Sequence, residues 1–325
     1  MKKIIVFAAL LFLSIAAVYL SACNNGNKEP EVAAASSSKD SIDRVIKRGE
    51  YLANHVTPCI DCHSKRDFSK FSGPVVPGTE GMGGEVFDQK HMGVPGAVFA
   101  RNITPDPETG IGTWTDDDIL RAITQGISKN GDTLFPIMPY ARFNHLAKDD
   151  LLSIIAYIRT LKPIKNKVPT RQLMVPISAV YPAPALGPSV DKNVRPSESD
   201  PAKYGEYLVN AAVCGDCHTP MTPRGYDFSK TLAGGFTFNM DNFKVTSANL
   251  TSDSATGLGT WTEERFMNKF IPYREEKAYA YDAGKQNTMM PLTTFAGMKD
   301  SDLKAIYAYL KTLKPIKNQV EKYPK

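Results

Sequence analysis

The chain has 325 residues, room for two ordinary domains, and its 42% hydrophobic and 22% charged residues exclude wholesale disorder. Its 39 Lys and Arg against 34 Asp and Glu leave +5, of which Lys2 and Lys3 supply two; that is too little and too dispersed for a nucleic-acid footprint. Histidine and cysteine number only five each, and these two scarce types carry most of the chemistry.

Lys2 and Lys3 precede an unbroken apolar run from Ile4 to Leu13 that continues in apolar and small residues to Leu20. A positive start and an apolar run of this kind predict an export signal over residues 1–22. The run ends in Leu20-Ser21-Ala22-Cys23, which resembles a bacterial lipoprotein box with Cys23 as the lipidated residue. An uncleaved membrane anchor is the alternative, because the 17 residues from Ile4 to Leu20 approach spanning length. Either reading puts the bulk of the chain on the periplasmic or cell-surface side of a bacterial membrane. Residues 23–40, rich in Ala, Ser, Lys and Glu without periodicity, are expected to form a flexible tether.

Beyond the tether the chain repeats itself. Ser41 to His55 predicts a helix leading into Cys59-Ile60-Asp61-Cys62-His63; Pro201 to Ala212 predicts another leading into Cys214-Gly215-Asp216-Cys217-His218, 155 positions later. Gly49-Glu50-Tyr51-Leu52 recurs as Gly205-Glu206-Tyr207-Leu208, and Thr109 to Thr115 matches Thr256 to Thr262 around Trp114 and Trp261. Met138-Pro139 matches Met290-Pro291, with Phe143 and Phe295 five residues after each Met, and Leu161 to Asn166 matches Leu313 to Asn318. Thr115 with Asp118 three residues on reads as a helix-capping pair. Leu151, Leu152, Ile155, Ile158 and Leu161 form a helical stripe stopped by Pro163, and Leu303, Ile306, Tyr307, Leu310 and Leu313 form another before Pro315. No run alternates long enough to predict a sheet. Residues 168–199, with six prolines, read as an extended linker between modules at 41–167 and 200–321. The expected class is all-α with long ordered loops, a design that buries little core unless a large apolar cofactor fills it.

Cys-x-x-Cys-His is the attachment signature of c-type haem: the two thiols reach the two vinyl groups and the adjacent imidazole faces the iron. A redox dithiol would want a βαβ context that is absent here, and a zinc site would need its four ligands in one cluster rather than in separate repeats. Two covalent haems c are therefore expected, held by Cys59, Cys62, Cys214 and Cys217 with His63 and His218 as proximal ligands. In the second module His218 is the sole histidine, so a Met is the natural sixth ligand. Among Met221, Met240, Met267, Met289, Met290 and Met298, Met290 alone has a counterpart, Met138; Met289 stays as a rival one residue away. His55 is expected to face solvent or a local hydrogen bond, and His91, in a Gly-rich loop, is an alternative ligand in the first module.

The modules resemble class I cytochrome c domains. The string Asn102-Ile103-Thr104-Pro105-Asp106 through Trp114-Thr115, with Met138-Pro139-Tyr140, Phe143 and Leu161-Lys162-Pro163, is similar to the cytochrome c subunits of membrane-bound alcohol, gluconate and related dehydrogenases. The resemblance implies two tandem cytochrome c domains, a close crossing of the first and last helices at Gly49 and Gly205, and Trp114 and Trp261 beside haem propionates or in the core. Those relatives commonly carry three haem modules; this chain has two. Haem ligated by His and Met has no open position for substrate and suits single-electron transfer. The expected function is that of a tethered dihaem electron carrier between a dehydrogenase and a downstream oxidase or cytochrome. Its rivals are a bound subunit of a dehydrogenase complex and a dihaem enzyme of peroxidase or thiosulfate-oxidising type.

Overall fold

Residues 29–180, 190–222 and 225–325 are described by the computed structural model, so the export signal, Cys23 and part of the proline-rich stretch lie outside the described residues. The chain divides after Arg44, and Val45–Lys325 form one unit holding both cysteine motifs. Among the described residues no helix is long and apolar enough to cross a membrane.

Helix α1 (Glu29–Tyr51) starts well ahead of Ser41, so residues 29–40 of the segment read as a tether are helical; Pro30 lies in the first turn, where proline is tolerated, and the Ala-rich run after it permits this. It loosens into a π-helical turn over Leu52–Val56, and the single turn α2 (Cys59–Cys62) follows. Helix α3 (Asp116–Gln125) opens on the expected box: Thr115 Oγ1 accepts Asp118 N–H and Asp118 Oδ2 accepts Thr115 N–H. Its end falls at Gly126, whose φ of +66° suits a residue without a Cβ. Helix α4 (Lys148–Ile158) buries Leu151, Ile154, Ile155 and Ile158. The second half repeats the order with α5 (Pro201–Ala211), α6 (Cys214–Cys217), the shorter α7 (Glu263–Met267) and α8 (Asp300–Thr312).

Contrary to the sheet-free expectation, the loops carry short antiparallel strands. Val86–Asp88, Gly96–Phe99 and Gln172–Leu173 form one small sheet, and Thr237–Asn239 pairs with Lys244–Thr246 in another. Strands of two to four residues are too short to leave an alternating pattern. The proline-rich stretch is tied to the first half on both sides of its undescribed part: Gln172 pairs with Ala97, Asn193 Nδ2 donates to the carbonyls of Asn144 and Leu146, and Arg195 donates to Asp150.

The core is continuous across both halves, running from Leu52, Val56 and Leu151 to Leu208, Leu303 and Leu310. Two glycines make it dense. A Cβ on Gly49 would lie 1.8 Å from the Ser153 carbonyl oxygen, and one on Gly205 1.9 Å from that of Ala305, so α1 crosses α4 and α5 crosses α8 backbone against backbone. The halves then meet through reciprocal pairs. Tyr51 donates to Asp302 at 2.6 Å and Tyr207 to Asp150 at 2.7 Å; Thr294 donates to Asp61 at 3.2 Å and Arg142 to Asp216 at 2.8 Å. Because Tyr51 matches Tyr207, Asp150 matches Asp302 and Asp61 matches Asp216 in the repeat, this is the isologous pattern of a two-fold interface built within one chain.

Candidate haem-binding sites

Each cysteine turn is folded by the bond from the histidine that ends it: His63 N–H donates to Cys59 O at 3.0 Å and His218 N–H to Cys214 O at 2.9 Å. The turn brings both thiols and the imidazole to one short stretch. The four cysteines are unpaired. Burial pushes the Cys59 thiol up to about 11 and those of Cys214 and Cys217 up to about 12, with Cys62 raised further by burial and by Asp61. Burial of this kind favours the neutral thiols over the thiolates. Each motif touches the other half through its aspartate, Asp61 accepting from Thr294 and Asp216 from Arg142.

Both imidazoles are held alike. His63 Nδ1 lies 2.7 Å from the Arg101 carbonyl oxygen and His218 Nδ1 2.7 Å from that of Ala248. A carbonyl only accepts, so Nδ1 carries the proton and Nε2 keeps its lone pair. Burial lowers both pKa values and holds the rings neutral, against the opposing pull of the backbone bonds. A neutral imidazole fixed through Nδ1 is the form that binds a metal through Nε2.

Met138 lines one cavity with Cys59, Thr57, Ile123, Phe143, Leu146, Leu151 and Ile154. That thioether and thiol share an apolar cavity, and with the neutral His63 of the same motif they fit a haem in donor type. Met138 and Met290 occupy the same backbone position: Tyr140 N–H donates to Met138 O and Leu292 N–H to Met290 O, both at 2.8 Å. Met290 packs on the same core as Met138, whereas Met289 packs on the separate cluster of Phe236, Phe238, Phe243 and Val245.

His91 goes elsewhere. Its Nδ1 meets Asp88 Oδ1 at 2.7 Å and its Nε2 meets Asp241 Oδ1 at 3.3 Å, so both nitrogens are engaged between the two small sheets. His55, part-exposed, meets the Thr294 carbonyl of the other half at 3.2 Å rather than a backbone partner of its own half. Among the described residues no group of three or more His, Cys, Asp or Glu could hold a metal ion.

The loops around each motif are stapled by side chains whose role the sequence left open. Asn102 Nδ2 donates to Ile164 O at 2.7 Å and Asn249 Nδ2 to Ile316 O at 2.8 Å; both asparagines are about 3% exposed and serve as loop pins. Asn166 and Asn318 in turn hold the Met82 and Ala233 carbonyls. Trp261 packs on the core under the Arg265 guanidinium, 4.3 Å from its ring centroid. The signal for these staples was the repeat itself, since each pair holds equal places in the two halves.

Residues 202–314 match the cytochrome c family model. The chain is 33% identical over 299 residues to the cytochrome c subunit of a quinone alcohol dehydrogenase of Gluconobacter oxydans (strain 621H), covering 86% of this chain and 57% of that one. It is 30% identical to the gluconate 2-dehydrogenase cytochrome c subunit of Pantoea cypripedii (86% of this chain, 62% of that one). A diheme cytochrome c-type protein of Cereibacter sphaeroides is 29% identical over 79% of this chain and 82% of its own length. Residues 202–314 thus carry a domain of the cytochrome c family, and the similarity of the wider chain to cytochrome c subunits and to a diheme cytochrome supports haem c and electron transfer. Within that family its relatives are cytochrome c subunits of alcohol, gluconate and fructose dehydrogenases; the chain spans about three fifths of the length of those subunits.

Proposed function

We propose that the chain is a dihaem electron carrier organised as two tandem cytochrome c domains, residues 41–167 and 200–321, joined by the linker at 168–199. Cys59 and Cys62 hold one haem and Cys214 and Cys217 the other; His63 with Met138, and His218 with Met290, supply the axial ligands. The observation that carries this reading is the pair of identical Nδ1 bonds, 2.7 Å each, that aim a neutral Nε2 lone pair in both halves. The haem irons, when bound, supply one-electron chemistry between ferric and ferrous states. The protein holds the donors still: the backbone bonds fix imidazole rotation, and the apolar packing around Met138 keeps water from competing for the sixth position. A dehydrogenase is the proposed donor, as the names of the relatives suggest, and a downstream oxidase or cytochrome the acceptor. The export signal and lipidated Cys23 would tether the carrier on the periplasmic or cell-surface side of a membrane.

The test is an optical redox titration of the holoprotein with the sulfur–iron charge-transfer band followed in the oxidised form. Two six-coordinate haems of high potential, each with its share of the band, are expected. A haem of much lower potential without the band would overturn the ligand assignment and favour the dihaem-enzyme rival.

A further inference from the structure

The loop after the first cysteine motif does not close on its own half. Phe71 is clasped by the second half: its ring stacks on Tyr273 and Tyr281 at centroid distances of 5.4 and 5.6 Å, and its N–H donates to the Tyr281 carbonyl at 3.0 Å. Ser72, fully buried, follows at φ +68°, a left-handed conformation that a residue with a Cβ seldom adopts unless its surroundings hold it there. The restraints are on the page. Arg66 donates to the Ser72 and Gly73 carbonyls at 2.6 and 2.8 Å while pairing with Asp61, inside the first cysteine motif, at 3.3 Å. Asn287, about 1% exposed, uses its whole amide: Oδ1 accepts the N–H groups of Ser72 and Thr288, and Nδ2 donates to the Phe68 and Lys70 carbonyls.

What this arrangement grips is the turn that bears Met290. Ser72 Oγ donates to the Met290 carbonyl at 2.7 Å and accepts Leu292 N–H at 2.9 Å, straddling Pro291; Thr288 Oγ1 accepts Met290 N–H at 3.1 Å. The Met138 turn shares the bond within the turn, Tyr140 N–H on Met138 O matching Leu292 N–H on Met290 O, but its Met138 N–H goes to Phe135 O of its own half. The pseudo-two-fold symmetry of the interface is broken here, where a thioether ligand is carried.

We infer that the Arg66–Gly73 loop of the first half positions Met290, Ser72 and Asn287 being positioning residues for the second iron's sulfur ligand and not for the first's. The inference rests on Met290 as a ligand. The clamp keeps the Met290–Leu292 backbone from moving, so the cost of withdrawing the sulfur from the iron includes breaking buried hydrogen bonds between halves. Removing a bond of this kind is worth roughly a factor of ten in an equilibrium or rate. Through Arg66 and Asp61 the same loop ties the first cysteine motif to the second methionine.

The experiment uses full-length holoprotein and four variants. Met290→Ala and Met138→Ala calibrate it, each expected to remove about half of the sulfur–iron band. Ser72→Gly keeps the left-handed backbone and removes the hydroxymethyl group that makes the clamp; Asn287→Ala removes the second clamp independently. In both, added imidazole should displace the second sulfur roughly tenfold faster than in the unaltered protein. The lower ligand strength should also move one of the two potentials downward and leave the other in place. The half of the band lost in Met138→Ala should be unaffected by either clamp variant, which shows that the variants remain folded. If Met290→Ala leaves the band whole, the ligand assignment fails. If it halves the band while Ser72→Gly and Asn287→Ala leave imidazole rates and both potentials unchanged, the clamp is refuted and the ligand assignment stands. Equal effects on both halves of the band refute it as well, because they would mean general loosening.

Discussion

At the scale of single residues, Gly49 and Gly205 decide whether the helices can approach. Alanine normally gains about 1 kcal/mol over glycine inside a helix. Here a methyl group 1.8 Å from the Ser153 oxygen cannot be accommodated without separating two backbones, and overpacking of this kind costs about 1–3 kcal/mol or more. Steric overlap therefore wins over propensity: Gly49→Ala and Gly205→Ala should each lower holoprotein stability by about 2 kcal/mol in denaturant unfolding, and an increase in stability would contradict the crossing. Asp150 is a second decisive residue. Burial opposes its ionisation, but Arg48, the Tyr207 hydroxyl and Arg195 outweigh burial and hold the carboxyl below its ordinary range. A depressed acid stabilises the fold fully above the unfolded carboxyl value of about 4 and loses that contribution as pH falls through the lower folded value. Asp150→Asn should thus cost about 2 kcal/mol at pH 7, less than for a fully buried pair because Arg195 is part-exposed. The gap between variant and parent should close as unfolding is repeated below about pH 4. A gap that widens at low pH would reverse the assigned sign.

Among the elements, the cysteine turns and the helices before them were legible because each rests on local rules. The Thr115–Asp118 box, the stop near Pro163 and the buried stripe of α4 all follow from spacing. The longer start of α1 and the π-helical turn at Leu52–Val56 were not, since propensity alone sets neither boundary. The short strands escaped for a related reason: pairing of Gln172 with Ala97 is a long-range event, and two residues cannot display a period. His91 illustrates the same limit, its nitrogens being claimed by Asp88 and Asp241 from separate strand-bearing loops.

For the molecule as a whole, the continuous core and the reciprocal Tyr–Asp pairs couple the two halves. The halves are therefore expected to unfold in one transition, with the absorbance changes of both haems coinciding along a denaturant titration. Two separated midpoints would show that the interface contributes little. Tyr51→Phe and Tyr207→Phe should each shift that common midpoint rather than split it, since each leaves a buried aspartate short of one donor.

The sequence by itself determined the duplication, the two cysteine motifs, their histidines and the pair of methionines at matching places, because these depend on residue identity and spacing that a repeat makes visible. Only the tertiary structure decided that the repeats meet face to face through exchanged partners, that Met290 and Met289 pack on separate clusters, and that Ser72 and Asn287 reach the Met290 turn from opposite halves. Those outcomes depend on contacts between residues more than two hundred positions apart in loops without periodicity. Such contacts form only once the helices have packed, and nothing in local spacing records them.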